Sequence, residues 1–424
     1  MANESMKASI RDKVVTLASL ELPVRESPQL ESMQPEAPHD ALTRERYYQV
    51  LERLRQATKE SGSKVLITVQ DREVSLLQSK LAMEAKQGEP LETGGLEAKF
   101  GAGLTGGDWF GWAKSLLDWV DRSDAHPIVR PTTNTPDPLP DVARLAITSD
   151  WGTALYGAPK IADCMKQIGG FQLLMHLGDI YYSGTEEEVQ ERFLDVWPRT
   201  AGVVSRTLNS NHEMYSGGFG YFKLALPAFG QKSSYFAFQN AHWLLVGLDT
   251  GYVDHDMDNK QVAWLNVLLR NAGDRKVVLF SHHQLFSRLG SQGPKLKKAL
   301  RHLLERRAIT AWYWGHEHQC MLYDAHGRYG LSARCLGNGG IPEPREKEVL
   351  KAPAETASGA VSWKRLSATD DSPACLVLDG PNPDIPGEED KFVPHSFMTL
   401  EFDGPKLTER VLLPNGREIY RGTL

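Results

Sequence analysis

The chain has 424 residues, of which 41% are hydrophobic and 24% charged, a composition typical of a soluble globular protein rather than a disordered one. Its 48 Lys and Arg against 54 Asp and Glu give a net charge of −6, which disfavours a scaffold that binds nucleic acid through a basic surface. The four cysteines form no CxxC pair, so neither a disulfide framework nor a cysteine zinc site is indicated. Because no apolar run can span a bilayer and the start lacks a signal-peptide core, we expect a cytoplasmic protein with no membrane partner.

The first part of the chain, residues 1–140, is predicted to be a mainly helical accessory region. Its tryptophan-rich stripe is interpreted as a packing face, because aromatic residues at helical spacing more often form core than ligand sites. In chain order, the pattern predicts an irregular polar segment (1–40), a helix (41–58), a strand (64–69), a helix capped by Asp71, a tryptophan-rich helix (108–122) and a proline-rich linker (130–140).

From residue 141 to residue 424, short apolar strands alternate with amphipathic helices, which indicates an α/β domain. Proline- and charge-rich residues 341–393 are expected to form a surface excursion, and a β-hairpin around Asp403-Gly404 is expected to follow it. The predicted strands are 143–148, 172–177, 203–208, 242–248, 276–280 and 309–314, and the predicted helices are 186–196, 259–270 and 294–306.

Five loops of this domain begin where an apolar strand ends, and each carries side chains that bind metal ions. Carboxylate, amide, phenol and imidazole groups together suit hard or borderline transition metals. Ten of the thirteen histidines lie between His176 and His326, a stretch that contains four of these five loops. One such loop is a weak signal, whereas five in order predict a metal site. The loops are SDWG (149–152), GDIYY (178–182), SNHE (210–213), SHH (281–283) and GHEH (315–318).

The order of these blocks resembles that of the calcineurin-like metallophosphoesterases, and more closely the purple acid phosphatase branch, whose blocks are GDxG, GDxxY, GNH(D/E), VxxH and GHxH. The resemblance covers about residues 142–424 and implies two packed mixed β-sheets flanked by helices. Residues 1–140 have no counterpart in it. Ser149 and Ser210 replace glycines of the pattern, and Leu279 replaces its valine, but these departures remove no ligand.

The resemblance also implies two adjacent metal ions. Gly152 stands where simpler members of the superfamily carry a histidine, so a tyrosine would supply the missing ligand, and a phenolate favours Fe³⁺. The partner ion would be Fe²⁺, Zn²⁺ or Mn²⁺. Spacing favours Tyr182 over Tyr181 and His282 over His283. The implied ligands are Asp150, Asp179, Tyr182 and His318 for one ion, and Asp179, Asn211, His282 and His316 for the other.

The chemistry implied by the resemblance is hydrolysis of a phosphate ester by a metal-bridging hydroxide, with both ions clamping the substrate. His212 matches the family histidine that protonates the leaving oxygen or stabilises the phosphoryl group, and Glu213 is expected to orient that imidazole. Arg288 is a candidate contact for the substrate phosphate. The polar loop at 249–256, which includes His255, is interpreted as solvated rather than as part of the site.

The sequence therefore predicts a metal-dependent hydrolase of small phosphate esters, with phosphomonoesters favoured. Phosphodiester or nucleotide hydrolysis at the same site is the alternative within this class. A different class of function, a regulatory or binding module, would use the tryptophan-rich N-terminal region to bind a protein partner. The acidic charge balance and the lack of a basic stripe weaken a nuclease role.

Overall fold

The computed structural model describes residues 45–46, 49–50, 52–54, 56, 70–86, 124–154, 156–385 and 387–424. The chain divides into two compact units, Met1–Asp124 and Ala125–Leu424. Residues 125–140, which the sequence analysis placed in the N-terminal region and its linker, hydrogen-bond to the second unit. The amide of Leu139 donates to the carbonyl of Gln239 at 2.8 Å, and Arg130 pairs with Asp258.

In the first unit, the described residues between 45 and 56 are helical, as the apolar spacing predicts. Helix α1 is Arg72–Lys86, and its start is capped as expected. The Asp71 carboxylate accepts hydrogen bonds from the amides of Glu73 at 3.0 Å and Val74 at 3.1 Å, which satisfies two free donors of the first turn. The predicted irregular segment 1–40, strand 64–69 and helix 108–122 lie outside the described residues.

The second unit is built from short strands joined by helices. The strands are β1 Asp137–Pro138, β2 Val142–Thr148, β3 Leu173–His176, β4 Val204–Thr207, β5 Phe236–Gln239, β6 Trp243–Gly247, β7 Lys276–Phe280, β8 Ala311–Trp314, β9 Cys320–Tyr323, β10 Ser332–Leu336, β11 Ala354–Ser358, β12 Val361–Leu366, β13 Cys375–Asp379, β14 Phe397–Asp403, β15 Lys406–Leu412 and β16 Glu418–Thr423. The α-helices are α2 Gly157–Ile168, α3 Glu186–Glu188, α4 Asn211–Tyr215, α5 Leu226–Ala228, α6 Asn259–Arg270, α7 Pro294–Ala299, α8 Arg301–Glu305 and α9 Lys347–Lys351. Val189–Leu194 and Tyr221–Ala225 are π-helical, and Glu389–Lys391 is a 3₁₀ turn.

Two mixed sheets form the centre of this unit. The larger has the order β1-β5-β6-β7-β8-β10-β9-β13-β12-β11, and the smaller has the order β16-β15-β14-β2-β3-β4. Apolar side chains from both sheets, such as Phe280 and Leu400, belong to one buried cluster, so the sheets pack face to face. Helices α6–α8 cover the outer face of the larger sheet, and α2 with the π-helical segments covers that of the smaller. The predicted sandwich of two sheets between helices is confirmed.

Residues 341–393 differ from the surface excursion that was expected. Strands β11, β12 and β13 of this segment pair antiparallel with one another, and β13 pairs with β9, so they extend the larger sheet. In β12, Val361 and Trp363 are buried whereas the long charged side chains of Lys364 and Arg365 are partly exposed. These charges hide a half-buried strand in a sequence that is otherwise rich in loop residues.

One ion pair lies in the core between the two sheets. Arg334 of β10 makes a bidentate pair with Glu409 of β15, with its Nη2 2.8 Å from Oε2 and its Nε 3.0 Å from Oε1. The hydroxyl of Tyr313 donates to the same carboxylate at 2.7 Å. Buried charges persist only when they are paired and hydrogen-bonded, and here both requirements are met by side chains of the protein.

Candidate metal centre

The polar loops meet because the strands before them run parallel. Strands β2, β3 and β4 are parallel in the smaller sheet, and β6, β7 and β8 are parallel in the larger. The carboxyl ends of parallel strands lie at the same edge of a sheet, and the two packed sheets bring their edges together. Asp150 and Asp179 reach the site from the smaller sheet, and His282 and His316 from the larger.

Four residues of these loops have a left-handed backbone conformation that side chains other than glycine rarely adopt. The φ angles are 54° for Asp150, 70° for Asp179, 69° for His316 and 50° for His318. Each such residue costs on the order of 1–3 kcal/mol, and such costs cluster at functional sites. The packed sheets therefore hold the four side chains in positions that the isolated loops would not favour.

Two glycines allow the loops to approach one another. A Cβ atom at Gly178, whose φ is 105°, would lie 2.8 Å from Nδ1 of His282, and a Cβ atom at Gly315 would collide with the side chain of Ser149. Neither position has room for any side chain. Steric crowding therefore requires glycine at positions 178 and 315, in addition to the turn geometry expected from the sequence.

The first cluster contains two carboxylates, a phenol and an imidazole. The hydroxyl of Tyr181 lies 3.0 Å from Oδ1 of Asp150, 2.5 Å from Oδ2 of Asp179 and 2.6 Å from Nε2 of His318. Burial and the two carboxylates raise the pKa of Tyr181 well above its usual value, so without a cation the phenol keeps its proton. A cation at this point would be held by four converging oxygen and nitrogen atoms.

The phenol in this cluster belongs to Tyr181, whereas the sequence analysis preferred Tyr182. Tyr182 is buried beside the cluster, where its amide donates to Glu188 at 2.6 Å and its carbonyl accepts from Nδ1 of His212 at 2.5 Å. Counting residues from Gly178 does not reveal which of two adjacent phenols faces the strand ends. The ligand prediction therefore changes from Tyr182 to Tyr181.

The second cluster contains Asp179, His282 and His316, whose ligand atoms lie within 4.8 Å of one another. Nε2 of His282 lies 3.2 Å from Oδ1 of Asp179 and 3.1 Å from Nδ1 of His316. On its other side, His282 uses Nδ1 to donate to the carbonyl of Leu177 at 3.0 Å, which leaves the lone pair on Nε2. A backbone carbonyl that fixes the tautomer in this way is typical of a histidine that binds a metal ion.

The electrostatics of the second cluster also fit a bound cation. Oδ1 of Asp179 is buried and accepts no hydrogen bond from the residues that the structure describes. Burial alone would raise the pKa of Asp179, but the positive charge that His282 carries when it is protonated outweighs burial and holds this pKa well below its usual value. Oδ1 of Asp179, Nε2 of His282 and Nδ1 of His316 face one another as acceptors. Such an arrangement requires positive charge between the atoms, which a proton or a metal ion can supply.

Asn211 and His212 begin α4, which Ser210 caps by accepting from the amide of His212 at 3.2 Å. Nδ2 of Asn211 donates to the hydroxyl of Tyr215 at 3.1 Å, which fixes the orientation of the amide. The ring of His212 is fully buried, with Nε2 4.0 Å from Oδ2 of Asp179. This nitrogen has no hydrogen-bond partner within the described part of the chain. Burial lowers the pKa of His212, so its ring is neutral.

Glu213 occupies a different place from the one expected. Its carboxylate accepts from the amides of Asp179 at 3.3 Å and Ile180 at 3.1 Å, and from the hydroxyl of Ser210. It therefore positions the backbone of the Asp179 loop rather than the imidazole of His212. Spacing predicted the residue but not its partner, because a side chain at the third position of a helix points back over the turn before it.

Arg288 is held by partners that belong to neither cluster. Its guanidinium pairs with Glu348, and its Nε donates to the carbonyl of Ser367 at 2.8 Å. Both partners belong to the 341–393 segment, whose packing against the larger sheet was not expected from sequence. The structure brings Arg288 into neither ligand cluster, and its contact with the substrate phosphate stays a prediction.

Three residues that sequence reasoning did not nominate lie beside the clusters. Oε2 of Glu343 lies 2.9 Å from Nδ1 of His318, and burial opposes protonation of that ring, but Asp150 and Glu343 raise its pKa to about 10. His255, from the loop that was interpreted as solvated, lies 3.4 Å from His316, measured between their Nε2 atoms. The ring of His283 packs against the rings of both His255 and His316. Of these three residues, only His283 is suggested by the sequence, because it is adjacent to the predicted ligand His282.

Comparison with known proteins finds similarity in the segment that carries these clusters. Residues 143–320 match the profile of a family described as calcineurin-like phosphoesterase. Among solved structures, a purple acid phosphatase from yellow lupin (Lupinus luteus) seeds is similar at 14% identity and a TM-score of 0.49, over 69% of this chain and 55% of that one. This chain thus spans about half the length of the lupin enzyme.

Two further solved structures are similar over comparable lengths. One is an anchor protein of the inner membrane complex of Plasmodium, at 13% identity and a TM-score of 0.43, over 67% of this chain and 88% of that one. The other is PhoD, at 12% identity and a TM-score of 0.40, over 70% of each chain. No protein of curated function matches the sequence significantly. Among the described residues, no helix is both long enough and apolar enough to cross a membrane.

Proposed function

We propose, from the premise that residues 143–320 belong to the calcineurin-like phosphoesterase family, that this protein hydrolyses phosphate esters at a two-ion centre and prefers monoesters. The observation that carries the proposal is the convergence of two ligand clusters that share Asp179, both inside the matched segment. A carboxylate that belongs to both clusters can bridge a pair of adjacent ions.

The chain supplies a donor set suited to two ions of different hardness. The proposed ligands are Asp150, Asp179, Tyr181 and His318 for one ion, and Asp179, Asn211, His282 and His316 for the other. A phenol and two carboxylates favour Fe³⁺ at the first position, whereas imidazole and amide groups suit Fe²⁺, Zn²⁺ or Mn²⁺ at the second. When bound, such a pair supplies an acidified water and a clamp for phosphoryl oxygens.

His212 is proposed to assist the leaving group. The carbonyl of Tyr182 holds the proton on Nδ1, so Nε2 points toward Asp179 with its lone pair free to accept a proton. The ring is neutral in the free protein, because burial lowers its pKa. The negative charge of an arriving phosphate favours transfer of a proton from solvent to Nε2, and Nε2 then donates that proton to the departing oxygen.

The substrate class is tested with a pair of aryl esters. The metal-loaded protein should turn over 4-nitrophenyl phosphate faster than bis(4-nitrophenyl) phosphate. A dominant rate with the diester would replace the monoesterase proposal with the phosphodiesterase alternative. No turnover of either ester by protein that holds its ions would reject the hydrolase function itself.

The metal assignment is tested by the two adjacent tyrosines, which serve as matched controls. Iron-loaded protein is expected to show a visible charge-transfer band that disappears in Tyr181→Phe and persists in Tyr182→Phe, because only the hydroxyl of Tyr181 lies in the ligand cluster. Loss of the band in Tyr182→Phe alone would restore the ligand that sequence spacing favoured. A colourless, fully active protein that contains only Zn²⁺ or Mn²⁺ would reject iron.

A further inference from the structure

A third group of metal-binding side chains lies next to the proposed two-ion centre. His255, His283 and His316 place one ring nitrogen each within 4.8 Å of the others. Nε2 of His255 and Nε2 of His316 are 3.4 Å apart. With zinc–nitrogen bonds of about 2.0–2.1 Å, two ligands of a tetrahedral site lie about 3.3–3.4 Å apart. The observed separation therefore matches that of two imidazoles bound to one ion.

Neighbouring groups hold the other nitrogen of each ring. Nδ1 of His255 lies 2.5 Å from the carboxylate of Asp254, which keeps the proton there and leaves the lone pair on Nε2. Nδ1 of His283 lies 2.9 Å from the hydroxyl of Thr250, which can accept that ring proton. A carboxylate or hydroxyl behind an imidazole is the usual arrangement around a histidine ligand.

A buried nitrogen of His283 is an independent observation that points to a bound ligand at this position. Its side chain is 1% exposed, and its Nε2 has no hydrogen-bond partner among the described residues. Leaving a polar atom buried without a partner is costly unless a ligand satisfies it.

His316 connects this group with the proposed centre. Its Nδ1 faces His282, and its Nε2 faces His255, so the two nitrogens of one ring serve different clusters. If both clusters hold an ion, the ring bridges them and releases its remaining proton to solvent. The side chain of His255 is 33% exposed, which gives an ion in the third group access from solvent.

We propose that His255, His283 and His316 bind a further transition-metal ion of the Zn²⁺ class, beyond the two ions of the proposed function. Three imidazoles without a carboxylate in the ligand set favour such a borderline ion over Mg²⁺ or Ca²⁺. The site shares only His316 with the hydrolytic centre and does not depend on turnover.

The test counts ions per chain by elemental analysis after equilibration with Zn²⁺ and removal of loose metal. The wild type should retain three ions. The His255→Gln variant should retain two, because it loses a ligand of the third site and leaves the ligands of the other two ions unchanged. Asp179→Asn should retain the histidine-bound ion. His302→Gln, which changes an exposed histidine on α8, is the matched control and should retain three.

The proposal is overturned if the wild type and His255→Gln both retain two ions, a result that leaves the proposed phosphoesterase function intact. It is also overturned if His302→Gln loses an ion as His255→Gln does, because surface binding would then explain the count. Loss of every ion in His255→Gln would likewise reject a separate site. Failure of the phosphoesterase proposal appears instead as absent turnover by wild-type protein that holds its ions.

Discussion

Two polar clusters in the same sandwich, each centred on a fully buried carboxylate, satisfy their charges in opposite ways. Between the sheets, Arg334 and Tyr313 both donate hydrogen bonds to the carboxylate of Glu409, so the positive charge comes from the protein. At the edge of the sheets, the lone pair of His282 faces the carboxylate of Asp179, and the positive charge must come from a bound cation or proton. Equal burial thus serves structure in one place and ligand binding in the other.

The difference begins in the strands. The inter-sheet cluster lies in the middle of β8, β10 and β15, where neighbouring strands enclose each side chain. The edge cluster, which comprises Asp150, Asp179, His282, His316 and His318, lies on loops after strands. In these loops Asp179 and His316 have a left-handed backbone. Packing encloses the inter-sheet cluster without strain. At the edge cluster, packing holds the backbone in a strained conformation, and the binding free energy of a ligand can offset that cost.

The largest expected effect comes from His212, the residue proposed to use the edge cluster for catalysis. His212→Asn should lower kcat for 4-nitrophenyl phosphate by about 10²–10⁴-fold, the usual contribution of a positioned acid or base. The ion content should remain that of the wild type, and His302→Asn serves as a matched control with unchanged kcat. Unchanged turnover in His212→Asn would remove this residue from the mechanism.

The inter-sheet cluster should respond in stability and not in chemistry. Glu409→Gln leaves the Arg334 charge without its partner and is expected to lower the free energy of unfolding by about 3–5 kcal/mol in urea titrations. Turnover per folded molecule and ion content should not change. Replacing both partners, in Arg334→Met with Glu409→Leu, should recover much of the loss, since an apolar pair needs no charge balance. A cost below 1 kcal/mol for the single change would contradict the comparison.

Glu343 is expected to tune the edge cluster without entering it. Its carboxylate lies 2.9 Å from Nδ1 of His318, so Glu343→Gln should weaken ion binding by about 10–100-fold in chelator competition. Glu346→Gln, an exposed change three residues further along, is the control. If both variants hold their ions equally tightly, Glu343 does not act through His318.

A smaller effect is expected from His176, a buried histidine outside both clusters. Burial lowers its pKa to about 3, so between pH 6.5 and pH 3 the unfolded chain binds a proton that the folded protein excludes. Stability from this group is complete above pH 6.5 and falls as the pH is lowered. Its share of the slope is at most about 1.4 kcal/mol per pH unit, and His176→Phe should remove that share from unfolding titrations. An unchanged slope would contradict a neutral His176.

The sequence predicted those strands and helices whose limits are set by the local spacing of apolar residues. Strand β7 and helix α6 begin and end at the predicted residues, because an apolar run bounded by turn residues leaves little choice. The Asp150, Asp179 and His316 loops follow predicted strands, and their family assignment agrees with the profile match. Parallel strands then bring residues that are distant in sequence to the same edge.

The sequence could not predict contacts that depend on loops arriving from elsewhere. Glu343 and His255 reach His318 and His316 from segments that carry no ligand block of their own. Tyr181 and Tyr182 are chemically identical neighbours, and only the three-dimensional path of the loop distinguishes them. Strand β12 was missed because its Lys364 and Arg365 resemble loop composition.

The central claim is that the edge cluster is a metal-dependent hydrolytic centre, and its most direct test is a metal add-back titration of hydrolysis. Exhaustively metal-depleted protein should not turn over 4-nitrophenyl phosphate, and activity should return as ions are restored. Asp179→Asn should remain inactive at every metal concentration, because both ligand clusters share this carboxylate. Full turnover by protein that elemental analysis shows to be metal-free, or by Asp179→Asn, would contradict the account.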